Sequence, residues 1–247
     1  MSWWRRSTRR RREGYPTSSN RASSFHLHWT PRVALREVWV TLSILEPPLV
    51  SELYFWALQA SFRDGDEVTG GGHLGLQWHP SYPGSTAVNW GGYDRSGWEL
   101  VGSESELPSV LGNPNTRNFE WQAGTGYRLR IFPDRPGWWA GEVTDLSLGA
   151  TIVIRRLAGG GDHLTLPVVW SEVFAQCDDP GVTALWSAPG GMTVSGEEWS
   201  PESYTTTYQQ ETDGGCSNTD SRPMEGGVGQ LTMVERTNAS GAHLPVE

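Results

Sequence analysis

The sequence predicts an all-β protein, an antiparallel two-sheet β-sandwich of the jelly-roll type. Apolar and polar residues alternate with period two in short runs that recur about every 8–15 residues, bounded by Gly, Pro, Asn and Asp. No stretch keeps the 3.6-residue period of a capped helix. The chain of 247 residues holds 30 Gly and 16 Pro, which suits frequent turns. Many strands without helices favour a sandwich, and the lack of a fixed repeat argues against a propeller.

The clearest strand is 37–45, where Val38, Val40, Leu42 and Ile44 share one face. The run at 52–62 is apolar on both faces, as expected of a central strand with a covered or concave outer face. The further predicted strands are 72–79, 85–91, 97–102, 118–122, 125–132, 138–145, 149–157, 164–174, 181–187, 203–211 and 229–236. Residues 212–228 are predicted to form a long polar loop.

The charge distribution sets the predicted domain organisation. Residues 1–36 hold nine Arg and one acid, whereas the remainder holds ten Arg and 27 acids, and the chain has no Lys. We expect residues 1–35 to be a disordered Arg-rich leader, 36–236 the sandwich domain and 237–247 a loose tail. The acidic folded part is a poor candidate for nucleic-acid binding, which needs a basic surface. The leader lacks the apolar run of a secretion signal, and no segment reaches the length of a membrane span.

Residues 125–132 and 138–145 are predicted to form a hairpin. Two adjacent tryptophans, Trp138 and Trp139, begin its second strand, and the register decides which of them faces the core. Pairing Ile131 with Trp139 keeps the apolar residues on one face and sets Arg128 opposite Glu142. Trp139 then lies in the core and Trp138 faces outward. A register shifted by one residue would reverse the two indoles.

An outward Trp138 beside Phe132, Arg130 and Arg128 is the arrangement that sugar binding requires, because a pyranose stacks on an indole while charged groups bind its hydroxyls. The alternatives are that a loop or the leader covers Trp138, or that Arg130 caps it through a cation–π contact. Trp90, Tyr93 and Asp94 cluster around a Gly-Gly turn and form a second candidate ligand site. They would also serve as ordinary loop anchors.

Glu172 is the best catalytic candidate in the sequence. It shares strand parity with Leu166, Val168, Trp170 and Phe174, and a carboxylate in an apolar row has a raised pKa when it is buried. Glycoside hydrolysis needs a second carboxylate nearby, which Glu120 or Glu142 would supply.

The alternative for Glu172 is a structural ion pair with an arginine such as Arg155. Known nucleophile-elbow, zinc-protease and phosphate-loop motifs are missing from the sequence. His73 and His79, on one strand with Gln77, lie too far apart to share a metal, so no metal site is predicted.

The two cysteines, Cys177 and Cys216, lie in matching Gly/Asp-rich contexts and are predicted to form one disulfide closing a loop of about 40 residues. A disulfide favours an extracellular location, although no signal peptide is recognised. The neighbouring carboxylates offer oxygen ligands for Ca²⁺ but match no defined calcium loop, so solvated turns are the alternative. They are Asp178, Asp179, Asp213 and Asp220.

Three segments, Gly72–Gln77, Val88–Trp90 and Trp121–Tyr127, carry a resemblance to known proteins. Through them, residues 50–190 resemble an uncharacterised bacterial β-sandwich family of actinobacterial type. The resemblance implies a concanavalin A-like jelly roll of the kind associated with secreted carbohydrate-related proteins, and it brings no catalytic residues.

The sequence therefore leads to three hypotheses about function. The first is non-catalytic binding of a glycan or polysaccharide through exposed aromatics, without a cofactor. The second is a glycan-cleaving hydrolase or lyase that uses Glu172 with Glu120 or Glu142. The third is a structural or protein-binding sandwich. Two carboxylates at hydrolase spacing would favour the second, and a flat row of exposed tryptophans the first.

Overall fold

The computed structural model describes residues 13–246, and this part of the chain is built from antiparallel β-strands with two single 3₁₀ turns. The strands are β1 (Ser23–His28), β2 (Leu35–Glu46), β3 (Tyr54–Asp64), β4 (Glu67–Trp78), β5 (Thr86–Asp94), β6 (Thr116–Asn118), β7 (Gly126–Arg135), β8 (Trp138–Asp145), β9 (Ala150–Leu157), β10 (His163–Val173), β11 (Thr183–Thr193), β12 (Glu198–Trp199), β13 (Ser203–Tyr208), β14 (Thr219–Met224), β15 (Gly227–Thr232) and β16 (His243–Pro245). No helix in the described residues has the length and apolarity to cross a membrane.

The strand pairing defines two layers. The front sheet has the order β16–β13–β1–β10–β3–β4–β5–β6. The back sheet has the order β14–β15–β11–β2–β7–β8–β9, with β12 added beside β11. A single pair, Leu164 with Leu35, bridges the two layers. The predicted all-β, antiparallel two-sheet sandwich is confirmed.

Large side chains from the two sheets pack against each other between the layers. Phe62 of the front sheet stacks on Trp139 of the back sheet with ring centroids 5.1 Å apart. Trp90 is fully buried and lies over Gly141, where a Cβ would come within 2.7 Å of the indole. Gln230 crosses the layers, since its Oε1 accepts a hydrogen bond from Ser171 Oγ at 2.7 Å. This packing fixes the position of each strand of the front sheet. Because side chains alternate along a strand, every second residue of the front sheet points to the outer surface.

The predicted start of the sandwich near residue 36 is wrong. Strand β1 pairs with β10 on one side and β13 on the other, and Phe25 and Leu27 are buried in the core. The predicted disordered leader is thus corrected for residues 13–35, while residues 1–12 lie outside the described residues. Phe25, Leu27 and Trp29 alternate with polar residues, which is the pattern of a strand. The arginines and serines around them made this pattern hard to recognise in the sequence.

Two other boundaries also differ from the prediction. The tail 237–247 contributes β16, which pairs with β13, and Thr237 Oγ1 donates a hydrogen bond to Asp220 Oδ2 at 2.6 Å. The loop predicted at 212–228 contains β14, whose Asp220 and Ser221 are fully buried. Polar side chains fill this part of the interior, so hydrophobic patterning could not detect the strand.

Candidate functional site

The outer surface of the front sheet carries the candidate site, which we call the front face. It consists of the residues of β1, β10, β3, β4 and β5 that point away from the core. Strand register sets these residues in three rows. The first row is Ser24, Glu172, Phe55, Gln77 and Ala87; the second is His26, Trp170, Ala57, Gly75 and Asn89; the third is His28, Val168, Gln59, His73 and Gly91.

Small residues form the floor of the front face. A Cβ at Gly75 would collide with the backbone oxygen of Trp56, so only glycine allows β3 and β4 to lie this close together there. Ala57 and Ala87 keep the adjoining positions low. Ala57 and Ala87 are fully buried, so the larger side chains of the rows cover this floor.

Glu172 is the carboxylate of this face, and it is partly buried. Its Oε1 accepts hydrogen bonds from Asn20 Nδ2 at 2.7 Å and from Ser24 Oγ at 3.4 Å. Burial raises the pKa of Glu172, and the two hydrogen bonds lower it in part. The predicted alternative of an ion pair with Arg155 is wrong, because Arg155 lies on β9 of the back sheet and donates to Asn115 Oδ1.

An aromatic cluster borders Glu172 on one side. The Phe55 ring lies 4.8 Å from the Trp170 ring and 5.7 Å from the His73 ring, measured between centroids. Trp170 Nε1 donates to Gln59 Oε1 at 3.2 Å. Since His73 lies two rows from Phe55, these contacts show that Phe55 leans along the strands, away from the space between Glu172 and Gln77. Phe55 is the strand neighbour of Glu172 on β3, and Trp170 precedes it by two residues on the same face of β10.

Two amide side chains on the front face hold buried oxygens without partners. Gln77 is 5% exposed and Asn89 is 8% exposed. Among the described residues, neither Gln77 Oε1 nor Asn89 Oδ1 has a hydrogen-bond partner, although Asn89 Nδ2 donates to Thr116 Oγ1 at 2.9 Å. Leaving such groups unpaired costs about 1–3 kcal/mol each, which is typical of sites that a ligand or water completes.

Glu172 and Gln77 lie on either side of Phe55 in the first row, so their backbones are about 10 Å apart. Sequence reasoning placed Gln77 and His73 on one face but could not place that face beside Glu172, because the order β10–β3–β4 is not evident from the chain order.

The imidazoles beside this site are uncharged at neutral pH. Burial lowers the pKa of His26 to about 4, and the adjacent His28 ring contributes to this shift. Burial likewise lowers the pKa of His73 to about 4. These rings can donate or accept hydrogen bonds but do not neutralise Glu172.

The raised pKa of Glu172 gives a prediction about stability. A carboxyl whose pKa is higher in the folded than in the unfolded state favours folding at low pH, and this contribution is lost as the pH rises from 4.5 through the raised value. We therefore expect Glu172→Gln to unfold at a higher temperature than the wild type at pH 7, because its amide carries no charge. At pH 3 the two proteins should unfold together. Thermal melts at both pH values test this, and a variant less stable at pH 7 would contradict it.

The predicted tryptophan site lies on the outer surface of the back sheet. Trp139 is 1% exposed, as predicted, and Trp138 lies outside under the Arg135 guanidinium, 4.1 Å from the ring centroid. The predicted register is wrong by two residues: Ile131 pairs with Gly141 and Arg130 with Glu142. Arg135 pairs with Trp138, so the turn between them is two residues long. A shift of two residues keeps parity, and the facing of both indoles was therefore predicted correctly.

Every aromatic ring in this back-sheet region is covered by an arginine. Arg130 lies 4.4 Å from the Phe132 ring centroid, and Arg128 lies 4.7 Å from the ring of Trp39. Arg130 also forms ion pairs with Glu37 and, at 3.4 Å, with Glu142. The predicted alternative, an arginine that caps Trp138 through a cation–π contact, is therefore the arrangement present, with Arg135 in the place predicted for Arg130. The flat row of bare tryptophans that would favour glycan binding is not found among residues 13–246.

The second predicted ligand cluster separates into different environments. Trp90 is fully buried in the core, because it points to the same side of β5 as the buried Val88. Tyr93 is 54% exposed and lies at the edge of the front face, with its ring 6.1 Å from His73. Asp94 Oδ1 accepts backbone hydrogen bonds from Ser96 and Trp98, which is a turn-stabilising role.

The predicted carboxylate pairs do not form. Glu142 lies on the outer surface of the back sheet, opposite to Glu172. Glu120 follows β6, which is four strand spacings or about 19 Å from β10. Glycosidases need about 5–9.5 Å between their carboxyl groups, so neither pairing with Glu172 fits that chemistry.

The predicted disulfide between Cys177 and Cys216 is confirmed. Among residues 13–246, no three His, Cys, Asp or Glu side chains are grouped to hold a metal ion. Asp178, Asp179 and Asp220 instead accept hydrogen bonds from Gly14 N, Gln176 N and Thr237 Oγ1. Calcium binding, with Asp213 included, stays a prediction.

Comparisons with known proteins connect this fold to peptidases. Neither a family model nor a curated protein sequence matches the chain, so the resemblance to a bacterial family stays a prediction. A solved structure of scytalido-glutamic peptidase with a peptide-based transition state analogue is similar at 12% identity and a TM-score of 0.53, covering 86% of this chain and 98% of the peptidase. SCP-B, an eqolisin-family peptidase in complex with the tripeptide Ala-Ile-His, is similar at 13% identity and a TM-score of 0.50, covering 89% and 100%. At these identities the similarity concerns the fold.

Proposed function

We propose that this chain hydrolyses peptide bonds on the front face, with Glu172 as the acid–base group. The observation that carries the proposal is Glu172 itself: a partly buried carboxyl with a raised pKa, held through one oxygen, on the same sheet face as two buried amide oxygens without partners, those of Gln77 and Asn89. Perturbed carboxyls in such surroundings are typical of catalytic sites. Two peptidases, one of them called a glutamic peptidase, share the fold over nearly their whole length, which supports the choice of a peptide as substrate.

The reaction needs one proton carrier and one group that stabilises negative charge. In the proposed reaction, ionised Glu172 takes a proton from a water molecule, whose oxygen forms a bond to the carbonyl carbon of the peptide. The carboxyl then gives the proton to the amide nitrogen as the C–N bond breaks. Gln77 lies in the same row as Glu172, beyond Phe55, and in the proposed reaction its Nε2 donates a hydrogen bond to the carbonyl oxygen as it becomes negative.

A second candidate function is binding of a glycan without cleavage. It is favoured by the exposed Tyr93 ring at the edge of the front face and by Trp98 nearby, which is 74% exposed. Aromatic rings beside polar side chains are suited to sugar rings. The back-sheet surface around Trp138 is less suited, since arginines cover its rings.

Incubation of the full chain with a peptide mixture and, separately, with a panel of soluble polysaccharides tests the two functions. Mass spectrometry would detect new peptide termini, and affinity electrophoresis would detect retention by glycans. Peptide cleavage over part of the range pH 3–8 is the expected result. Glycan retention without peptide cleavage would overturn the proposal in favour of the second function, and neither event would overturn both.

A further inference from the structure

A cleft lies at one end of the sandwich, where β4 ends and β5 begins. We call it the aromatic cleft; its volume is about 580 Å³, and Pro47, Trp78, Pro83, Phe119, Glu120 and Trp121 line it. Trp121 Nε1 donates to the backbone oxygen of Gln77 at 3.0 Å. The cleft is therefore connected directly to the strand that carries Gln77.

The tryptophans of the cleft have no free donors to offer a ligand. Trp78 Nε1 donates to the backbone oxygen of Val50 at 3.0 Å, and the indole nitrogen of Trp121 is bonded to Gln77. Trp121 is only 3% exposed, so the aromatic surface of the cleft comes mainly from the partly buried Trp78 and Phe119. Such surface attracts apolar groups and cations that lie against the ring faces.

Glu120 gives the aromatic cleft its charge. It is exposed at the rim, and its nearest hydrogen-bond donor is Gln122 Nε2 at 3.4 Å. Within residues 13–246, no arginine or histidine forms an ion pair with it. All 28 carboxylates but only 13 of the 19 arginines lie in residues 13–247, which carry a formal charge of −15. Both the local and the overall charge favour a cationic ligand.

From these observations we infer that the aromatic cleft binds the side chain of an arginine in a peptide. A guanidinium is planar and can lie against an aromatic ring while donating to a carboxylate, here Glu120. An alkyl stem then contacts the prolines. The inference deepens the proposed function by assigning arginine-containing peptides as ligands, yet peptide binding here does not require that hydrolysis occurs.

Calorimetric titration with two matched peptides tests the inference. One is an alanine-based peptide with a central arginine; the other has citrulline, which is the uncharged isostere of arginine. The titrations use the Glu172→Gln variant, so that hydrolysis cannot consume the peptide. We expect the arginine peptide to bind about fivefold more tightly than the citrulline peptide.

Adding Glu120→Gln should remove this fivefold preference and leave citrulline binding unchanged. The matched control is Glu225→Gln, which removes an exposed carboxylate from the β14–β15 turn and should leave the preference intact. Equal binding of the two peptides, a preference that survives Glu120→Gln, or no binding of either peptide would overturn the inference. Because the readout is binding, these outcomes are independent of whether the wild type cleaves peptides.

Discussion

Replacing Glu172 with glutamine is expected to lower kcat/KM for peptide hydrolysis by about a thousandfold. Glutamine keeps the oxygen that accepts the hydrogen bond from Asn20 Nδ2, so the local structure should persist. What is lost is the ability to take and return a proton. The measurement is the initial rate of cleavage of a defined peptide by wild type and variant at the pH of maximal activity.

The pH profile of the wild type provides a second readout in the same experiment. Since Glu172 must be ionised to accept a proton from water, the rate should rise as the pH rises through its pKa. Burial raises that pKa, so the midpoint of the acidic limb should lie above the ordinary value of 4.5. A limb centred at or below 4.5 would assign the titration to another group.

Glu142→Gln is the matched control for Glu172→Gln. Glu142 is also a strand carboxylate, but it faces outward on the opposite sheet and pairs with Arg130. Its replacement should leave kcat/KM within about twofold, although the lost ion pair could cost up to about 1 kcal/mol of stability. A Glu172 variant that retains wild-type turnover would exclude the proposed reaction, whatever the control shows.

The sequence allowed most of the strands to be predicted, because their side chains follow simple rules. In β2, Val38, Val40, Leu42 and Ile44 alternate with Trp39, Thr41 and Ser43, and each of the four aliphatic residues is buried. Strand β1 was missed because it is short and lies in an arginine-rich segment. Strand β14 was missed because its buried residues include Asp220, whose interior position depends on hydrogen bonds from distant residues.

Only the part of the candidate site that lies on β10 could be predicted from the sequence, for a similar reason. The apolar row around Glu172 is local to β10, so its raised pKa could be inferred. The neighbours across the sheet depend on strand order, which sets β10 between β1 and β3. That order places Asn20, Ser24 and Phe55 beside Glu172. It leaves Glu120 at the far edge of the front sheet and Glu142 on the back sheet.

Removal of the disulfide is the second large effect that we expect. Cys177 and Cys216 are 39 residues apart, and closing a loop of this length stabilises the folded state by about 4 kcal/mol in the chain-entropy account. The double variant Cys177→Ala, Cys216→Ala should lose about this much free energy of unfolding in a denaturant titration. Wild type in excess reductant is the control and should match it. A difference below about 1 kcal/mol would indicate that the bond contributes little.

Removal of the disulfide should also change the pKa of Glu172, because both cysteines anchor the segment 14–23, which contains Asn20. The backbone N–H of Cys177 donates to Gly14 O at 2.8 Å, and that of Cys216 donates to Ser23 Oγ at 2.9 Å. Asn20 lies between these two anchored points, and Cys177 follows Glu172 by five residues. Loosening this end of the front sheet therefore weakens the hydrogen bond from Asn20 that lowers the pKa of Glu172. In the double variant, the acidic limb of the activity profile should move to higher pH, whereas a purely global loss of stability would leave its midpoint unchanged.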